Sequence, residues 1–188
     1  MQQLRAAYQQ WQSVAEPGRL VFIDEAGSTV AMTRGYARAP RGHRAGDRVP
    51  RNRGSVTTMI GALSLHGIEA LMTIEGGTDG DVIVAFAREV LVPVLRPGDL
   101  VVLDNAGAHR DPRMREAIEG AGARVVFLPP YSPELNPIEL AWSKLKAFLK
   151  TAKARTRESL MIATAMAIEM ITPRDAAAWF RHCGYAIN

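Results

Sequence analysis

Three consecutive stretches restrict the fold of this chain more than anything else in it. "DLVVLDNAG" (residues 99–107) and "ARVVFLPP" (123–130) are short apolar runs rich in β-branched residues, each closed by turn formers, as buried strands are. Between them "DPRMREAIEGAG" (111–122) carries proline at its first turn and glycine at its end, the marks of a short helix. A strand–helix–strand unit makes its two strands parallel neighbours with a right-handed crossover. Parallel strands bury both faces, so helices must cover the sheet on each side.

The N-terminal half supplies a different kind of strand. "RLVFIDEAG" (19–27) is another apolar run ending in acids and glycine, and "TVAMTRGYAR" (29–38) is expected as the next strand. A loop rich in Arg, Gly and Pro (39–54) separates these from "SVTTMIGALSL" (55–65), whose "HG" turn leads into "IEALMTIE" as a continuation or a partner. The first three strands are expected to be antiparallel. "TDGDVIVAFAREVLVPVL" (78–95) has a Thr/Asp cap and apolar residues at Val82, Phe86, Val90 and Val94, a helical spacing. A polar helix over 1–16, helices near 137–153 and 156–170, and a last one beginning at "TPRDAAAWF" complete the list. Together these elements call for a mixed sheet flanked by helices. If the first strand lies beside "DLVVLDNAG", their C-terminal ends meet where the strand order reverses, the crevice that ligands favour in open α/β sheets. Asp24 and Asp104 are expected at those two strand ends.

A chain of 188 residues suits one domain with a real core. No apolar run reaches the ~18 residues of a membrane span, and "MQQLRAAYQQWQ" lacks the apolar core of a signal peptide. Cys183 stands alone, so a reducing cytoplasm is the expected location. His43, His66, His109 and His182 show no zinc-ligand spacing. The net charge of +4 is unevenly spread. Arg34, Arg38, Arg41, Arg44, Arg48, Arg51 and Arg53 face a single acid, Asp47, within twenty residues. Residues 144–157 hold Lys144, Lys146, Lys150, Lys153, Arg155 and Arg157 with no acid. Two such segments on an otherwise acidic body fit a polyanion such as nucleic acid, although each alone also reads as a solvated face.

The acids have innocent explanations one at a time. Asp24 and Asp104 precede turns, where Asp bonds the local backbone. "NPIE" (136–139) matches a cap, a first-turn proline and a capping-box acid. Taken jointly they read differently, because two strand-end carboxylates and one helix-start carboxylate can converge on a point. An all-oxygen set of this kind suits Mg²⁺ or Mn²⁺. Two ions ~3.5–4 Å apart would serve an in-line displacement at phosphorus.

"FIDEAG", "VVLDNAGAH" and "LPPYSPELNPIELAWSKLK", with "SVTTMIGALSLHG" and the closing "WFRHCGY", resemble the catalytic domain of DDE transposases of the insertion-sequence-630 branch of the mariner superfamily. Thirty-four residues separate Asp104 from Glu139, a spacing typical of that branch. The resemblance implies a ribonuclease H-like α/β fold over 19–188, preceded by an 18-residue helical lead-in. It implies Asp24, Asp104 and Glu139 as the catalytic triad holding two Mg²⁺ or Mn²⁺ ions. Glu25, Asn105 and His109 match further family positions and are expected to support those ligands or touch substrate phosphate. Trp142 and Leu145 are expected to pack the helix of Glu139 onto the sheet.

The expected activity is metal-dependent DNA strand cleavage and strand transfer on double-stranded DNA, transposon ends and target alike. Arg34, Arg38, Arg41, Arg44, Arg48, Arg51, Arg53, Lys144, Lys146 and Lys150 are expected to hold the DNA backbone. Paired ends suggest a homodimer. The helix-turn-helix region that precedes the catalytic domain in full-length relatives is absent from these residues, and a separate or upstream region is expected to supply it. Two alternatives stay open from sequence: a non-catalytic fragment that binds DNA or modulates its parent, and a phosphoacceptor signalling domain with Asp104 as acceptor.

Overall fold

A computed structural model describes residues 2–187; Met1 and Asn188, the outer ends of the expected lead-in and of the expected catalytic domain, lie outside the described residues. The sheet is built from β1 (Leu20–Ser28), β2 (Thr57–Ser64), β3 (Gly67–Glu75), β4 (Leu100–Leu103) and β5 (Arg124–Phe127). Their order is β3-β2-β1-β4-β5. β1–β2 and β2–β3 are antiparallel, whereas β1–β4 and β4–β5 are parallel. This is the expected five-stranded mixed sheet of ribonuclease H-like order, flanked by helices.

The first three strands are antiparallel, but not all are the expected segments. "TVAMTRGYAR" forms no strand: after β1 the backbone runs from Thr29 to Val56 without regular structure. Its place is taken by "IEALMTIE", which turns at Leu65 and His66 into a separate β3. Gly67 makes that turn possible with φ +112°, a conformation few side chains accept. Asp24 also differs from expectation. It lies in the middle of β1, opposite Gly61 of β2, because β1 continues for four residues past it along the antiparallel partner alone.

Helices cover both faces. Leu20 and Phe22 of β1 point into a core shared with α1 (Gln2–Val14), α4 (Pro137–Ala152), α5 (Arg157–Glu169) and α6 (Pro173–His182). Val21 and Ile23 point the other way, into a core shared with α2 (Gly80–Phe86) and α3 (Pro112–Gly120). The alternation follows from the two-residue period of a strand. The expected helix over 78–95 is interrupted: α2 passes into a wide turn over Ala87–Leu91 and a tight one over Val92–Val94. Pro93, which has no amide proton to continue the ladder, sits in that second turn.

α4 carries Ile138, Ala141, Trp142, Leu145 and Leu149 on one buried stripe, the helical spacing of a core-facing side. Trp142 and Leu145 do pack this helix onto the sheet, at 1% and 0% exposure. A β-carbon on Gly61 would stand 2.6 Å from Cη2 of Trp142. The absence of a side chain there is what lets the indole lie against β2, beside Asp24.

Candidate active site

The parallel register between β1 and β4 pairs Leu20 with Leu100 and Phe22 with Val102. Continuing it by two residues brings Asp24 level with Asp104, and both point to the face that α4 covers. Glu139 approaches from the first turn of α4. Asp24, Asp104 and Glu139 all line one cleft of about 440 Å³. Burial first and Glu139 next push the Asp24 carboxyl up to about 7, with smaller contributions from Glu25 and Asp104. These carboxylates therefore feel one another across the cleft, and a cation between them would relieve that repulsion.

The donor set is oxygen-only and suits a hard divalent ion. Among the described residues, however, no three acidic, histidine or cysteine side chains are gathered closely enough to hold an ion as they stand. Closing the set takes a side-chain adjustment. Glu139 is the member free to make it, since it is exposed on the cleft wall. Asp104 is the least free: its Oδ1 accepts from the Ala106 amide at 2.9 Å and from Nδ1 of His109 at 2.6 Å.

His109 is buried behind Asp104, and its Nε2 lies 3.0 Å from Oε2 of Glu25, off the axis of a hydrogen bond. Burial alone would lower the imidazole pKa. The hydrogen bond to Asp104 and the charge of Glu25 outweigh it and push it up to about 10, so the ring is cationic at neutral pH. That cation in turn holds Asp104 below the usual carboxylate range. Glu25 accepts a hydrogen bond from Thr78 at 3.3 Å. Thr78, Glu25, His109 and Asp104 thus form one chain of contacts. Asn105 is used up within the protein: its Nδ2 donates to the Leu128 carbonyl at 2.5 Å, and its Oδ1 accepts from Arg110 at 3.1 Å.

The capping expectation for "NPIE" is only partly met. Asn136 stands at the N-cap and Pro137 in the first turn, but the Asn136 side chain makes no capping bond. Its Oδ1 is buried without a donor. Glu139 makes no capping-box bond either, which leaves its carboxylate to the cleft. Sequence reasoning passed over Arg110, Tyr131 and Asn136 as cleft residues. For Arg110 a signal existed, a cation directly after "DNAGAH". Nothing local marks Tyr131, whose φ of +55° is set by the prolines and turn around it.

The two basic segments meet. Arg155 Nη1 donates to the carbonyls of Val30 and Met32, both at 2.9 Å. Lys153 pairs with Asp47 at 2.6 Å, and Arg34 Nε donates to Thr151 at 3.0 Å. The 29–56 loop is therefore strapped to the end of α4. Arg51, Arg53 and Lys150 border one groove there, and Arg34, Arg38 and Lys153 another. Arg41, Arg44 and Arg48 are exposed on the same loop. Lys144 is committed elsewhere, to Asp175 at 2.8 Å and the Met170 carbonyl at 2.7 Å. Among the described residues, Lys146 and Lys150 are the members of the 144–157 segment that enter no ion pair or side-chain hydrogen bond. No helix among the described residues is long and apolar enough to cross a membrane.

Solved structures share this fold. The Mos1 strand transfer complex superposes with TM-score 0.65 at 20% identity, covering 97% of this chain and 55% of that one. The mariner Mos1 paired end complex with Mg gives 0.68 at 18%, covering 97% and 57%. The Mos1 transposase catalytic domain with Raltegravir and Mg gives 0.59 at 16%, covering 97% and 87%. The chain thus spans just over half the length of the Mos1 chains in the two larger complexes and most of the catalytic domain. Comparison with curated proteins finds no match. The family model described as DDE superfamily endonuclease matches residues 19–161, a span that takes in Asp24, Asp104 and Glu139. By that match, over most of its length, the chain belongs to the DDE superfamily endonuclease family.

Proposed function

We propose that this chain is the catalytic domain of an insertion-sequence-630-type transposase that cleaves DNA at transposon ends and transfers the strands to target DNA. The observation that carries the reading is the meeting of Asp24, Asp104 and Glu139 in one cleft, within the span matched by the family. Two Mg²⁺ or Mn²⁺ ions held by these three carboxylates would activate the attacking oxygen and neutralise charge developing at phosphorus. Magnesium and manganese are named in solved Mos1 complexes, which supports the choice of ion.

The protein's own residues set the stage for that chemistry. His109 keeps Asp104 ionised and aimed, because its Nδ1–H donates a hydrogen bond to Oδ1. Glu25 balances the buried imidazolium. Asn105 ties the end of β4 to Leu128 and steadies Arg110 at the cleft, where a guanidinium can meet a phosphate oxygen. The arginine loop with Lys146 and Lys150 holds the DNA backbone, contributing affinity more than sequence choice. The partners in this reading are transposon-end and target DNA, a second copy of the chain, and a helix-turn-helix region beyond these residues that reads the ends. Residues 19–188 act as the catalytic unit and 1–18 as its lead-in.

Nicking of supercoiled plasmid in Mn²⁺ by the wild type and by Asp104→Ala tests the reading. Loss of nicking in the variant is the expected result; nicking at the wild-type rate in Asp104→Ala would sink it. The partial span relative to Mos1 chains keeps one other reading alive, a fragment that binds DNA or modulates its parent without cutting. Salt-sensitive DNA binding with no cleavage, even beside an added helix-turn-helix partner, would favour that fragment. The antiparallel half of the sheet and the family match leave the phosphoacceptor reading without support.

A further inference from the structure

Tyr185 touches the strand that carries Asp24 and the turn that leads into the helix of Glu139. Its ring packs edge-on against Phe22, with centroids 5.1 Å apart. Phe22 lies two residues before Asp24 and on the same face of β1. The hydroxyl of Tyr185 donates to the Leu135 carbonyl at 2.9 Å, in the turn (Pro133–Leu135) that leads into α4 and Glu139. Tyr185 Oη also lies 2.8 Å from Oη of Tyr8 in α1. Because the Tyr185 proton is committed to Leu135, Tyr8 is the donor to Tyr185.

Further contacts fasten α1 to the same place. Gln12 Nε2 donates to the Cys183 carbonyl at 2.7 Å, and Arg5 pairs with Glu134. Tyr8, Leu135 and Tyr185 are all buried. Burial drives both phenol pKa values far up, so each hydroxyl keeps its proton. Tyr8 and Tyr185 lie outside the family-matched span 19–161, whereas Phe22 and Leu135 lie within it.

We infer that Tyr185, backed by Tyr8, is a positioning residue that sets the gap between Asp24 and Glu139; the inference rests on the proposed reading that these carboxylates share a cation. Pro133 and Pro137 bracket Leu135, and each proline fixes its own φ. The turn is also closed by the Glu139 amide donating to the Asn136 carbonyl at 3.2 Å. A shift of the Leu135 carbonyl is therefore passed to Glu139 rather than absorbed. The aromatic contact holds the other end, since displacing the Tyr185 ring moves it against Phe22. α1 reaches the site through this hydroxyl pair, the Gln12–Cys183 bond and the Arg5–Glu134 contact, which makes it a lever as well as a cover.

Tyr185→Phe keeps the ring on Phe22 and removes the grip on Leu135; Tyr8→Phe removes only the backing. Mn²⁺ affinity by calorimetry, and amide hydrogen exchange over residues 135–141, are measured for both. Ile118→Val, in the core on the opposite sheet face, serves as a control for general loosening, with melting temperatures recorded for all variants. Tyr185→Phe is expected to weaken Mn²⁺ binding by about tenfold, as outer partners of metal ligands do, and to speed exchange over 135–141. Tyr8→Phe should do both to a lesser degree, and Ile118→Val neither. Unchanged Mn²⁺ affinity in Tyr185→Phe, or an equal loss in Ile118→Val, overturns the inference. Glu139→Gln separates the two ideas. If Glu139→Gln leaves Mn²⁺ binding unaltered, or the wild type binds none, the carboxylate reading fails; exchange over 135–141 then decides alone, and unaltered exchange in Tyr185→Phe overturns the inference.

Discussion

The carboxylate cleft and the arginine loop differ in how much of the fold stands behind each side chain. In the cleft, Asp24 sits mid-strand, Asp104 is pinned by His109 and Ala106, and Glu139 rides a helix that Trp142 seats against Gly61. In the loop, 28 residues without regular structure are tied to the end of α4 by Arg155, Lys153 and Arg34. The contrast matches two different demands. Chemistry at phosphorus needs groups held to within a fraction of an ångström. Backbone binding needs charge close to phosphates, which a loosely held loop provides. Most cations of the 144–157 segment have partners inside the protein: Lys153 and Arg155 tether the loop, Arg157 pairs with Glu75, and Lys144 clamps α6.

The contrast is most easily broken at Gly61. Gly61→Val forces Trp142 off β2 and moves α4, and displacement of a catalytic group by about an ångström costs roughly a hundredfold in rate. Plasmid nicking should fall by about that factor while DNA affinity, which the proposed function assigns to the loop, stays within error of wild type. Equal losses in both would show that the two regions are not separable.

Arg155→Ala addresses the loop's main anchor. Removing two charge-assisted bonds to the Val30 and Met32 carbonyls should cost about 1.5–3 kcal/mol, and limited proteolysis should now cut within 29–56. Mn²⁺ binding at the cleft should not change; a weakened site would mean that the loop also supports it. A finer effect is expected from Arg51→Ala, Arg53→Ala and Lys150→Ala combined. If their groove follows the DNA backbone, the slope of log affinity against log salt flattens by about 0.9 for each phosphate that is no longer neutralised. Gel-shift titrations at several salt concentrations read this directly, and an unchanged slope removes the groove from the interface.

The smallest effect lies outside both regions. Asp175 accepts from Lys144 at 2.8 Å and from the Thr172 amide at 2.9 Å, and Lys144 first, then Thr172, hold its pKa down to about 2. Its carboxylate is more acidic in the folded chain than in the unfolded one, so its contribution is full above the ordinary value of 3.8 and fades as pH falls through about 2. Asp175→Asn should cost about 0.5–1 kcal/mol at pH 5–7, with the difference in melting temperature closing towards pH 2. DNA affinity should not respond, which would separate Lys144 from the cations proposed to hold the DNA backbone.

How far the site was legible in the sequence depended on distance along the chain. Asp104, Asn105 and His109 share a turn, and their joint role is readable because neighbours in sequence are neighbours in space. Glu139 announces itself through the prolines before it and the apolar stripe after it. The strand formed by "IEALMTIE" was ambiguous because an apolar run fits either a continued or a returning strand. "TVAMTRGYAR" reads as a strand by composition, yet both sides of the preceding β1 are taken by β2 and β4, and a strand without a partner has nowhere to place its backbone hydrogen bonds.

Motif resemblance pointed to the family and to three acids; the sequence by itself determined the parallel β4–α3–β5 unit and the mixed sheet that follows from it. These are local or pairwise properties, set by short-range patterns and by the handedness of crossovers. Tertiary structure alone decided the rest: that Asp24 lies mid-strand level with Asp104, that Lys153 and Arg155 of the second basic segment hold the first, and that Tyr185, backed by Tyr8, reaches the turn before Glu139. The reason is physical. Tyr8 and Tyr185 are 177 positions apart yet share a hydrogen bond, and no periodicity or motif records a contact that only the closing of the whole core creates.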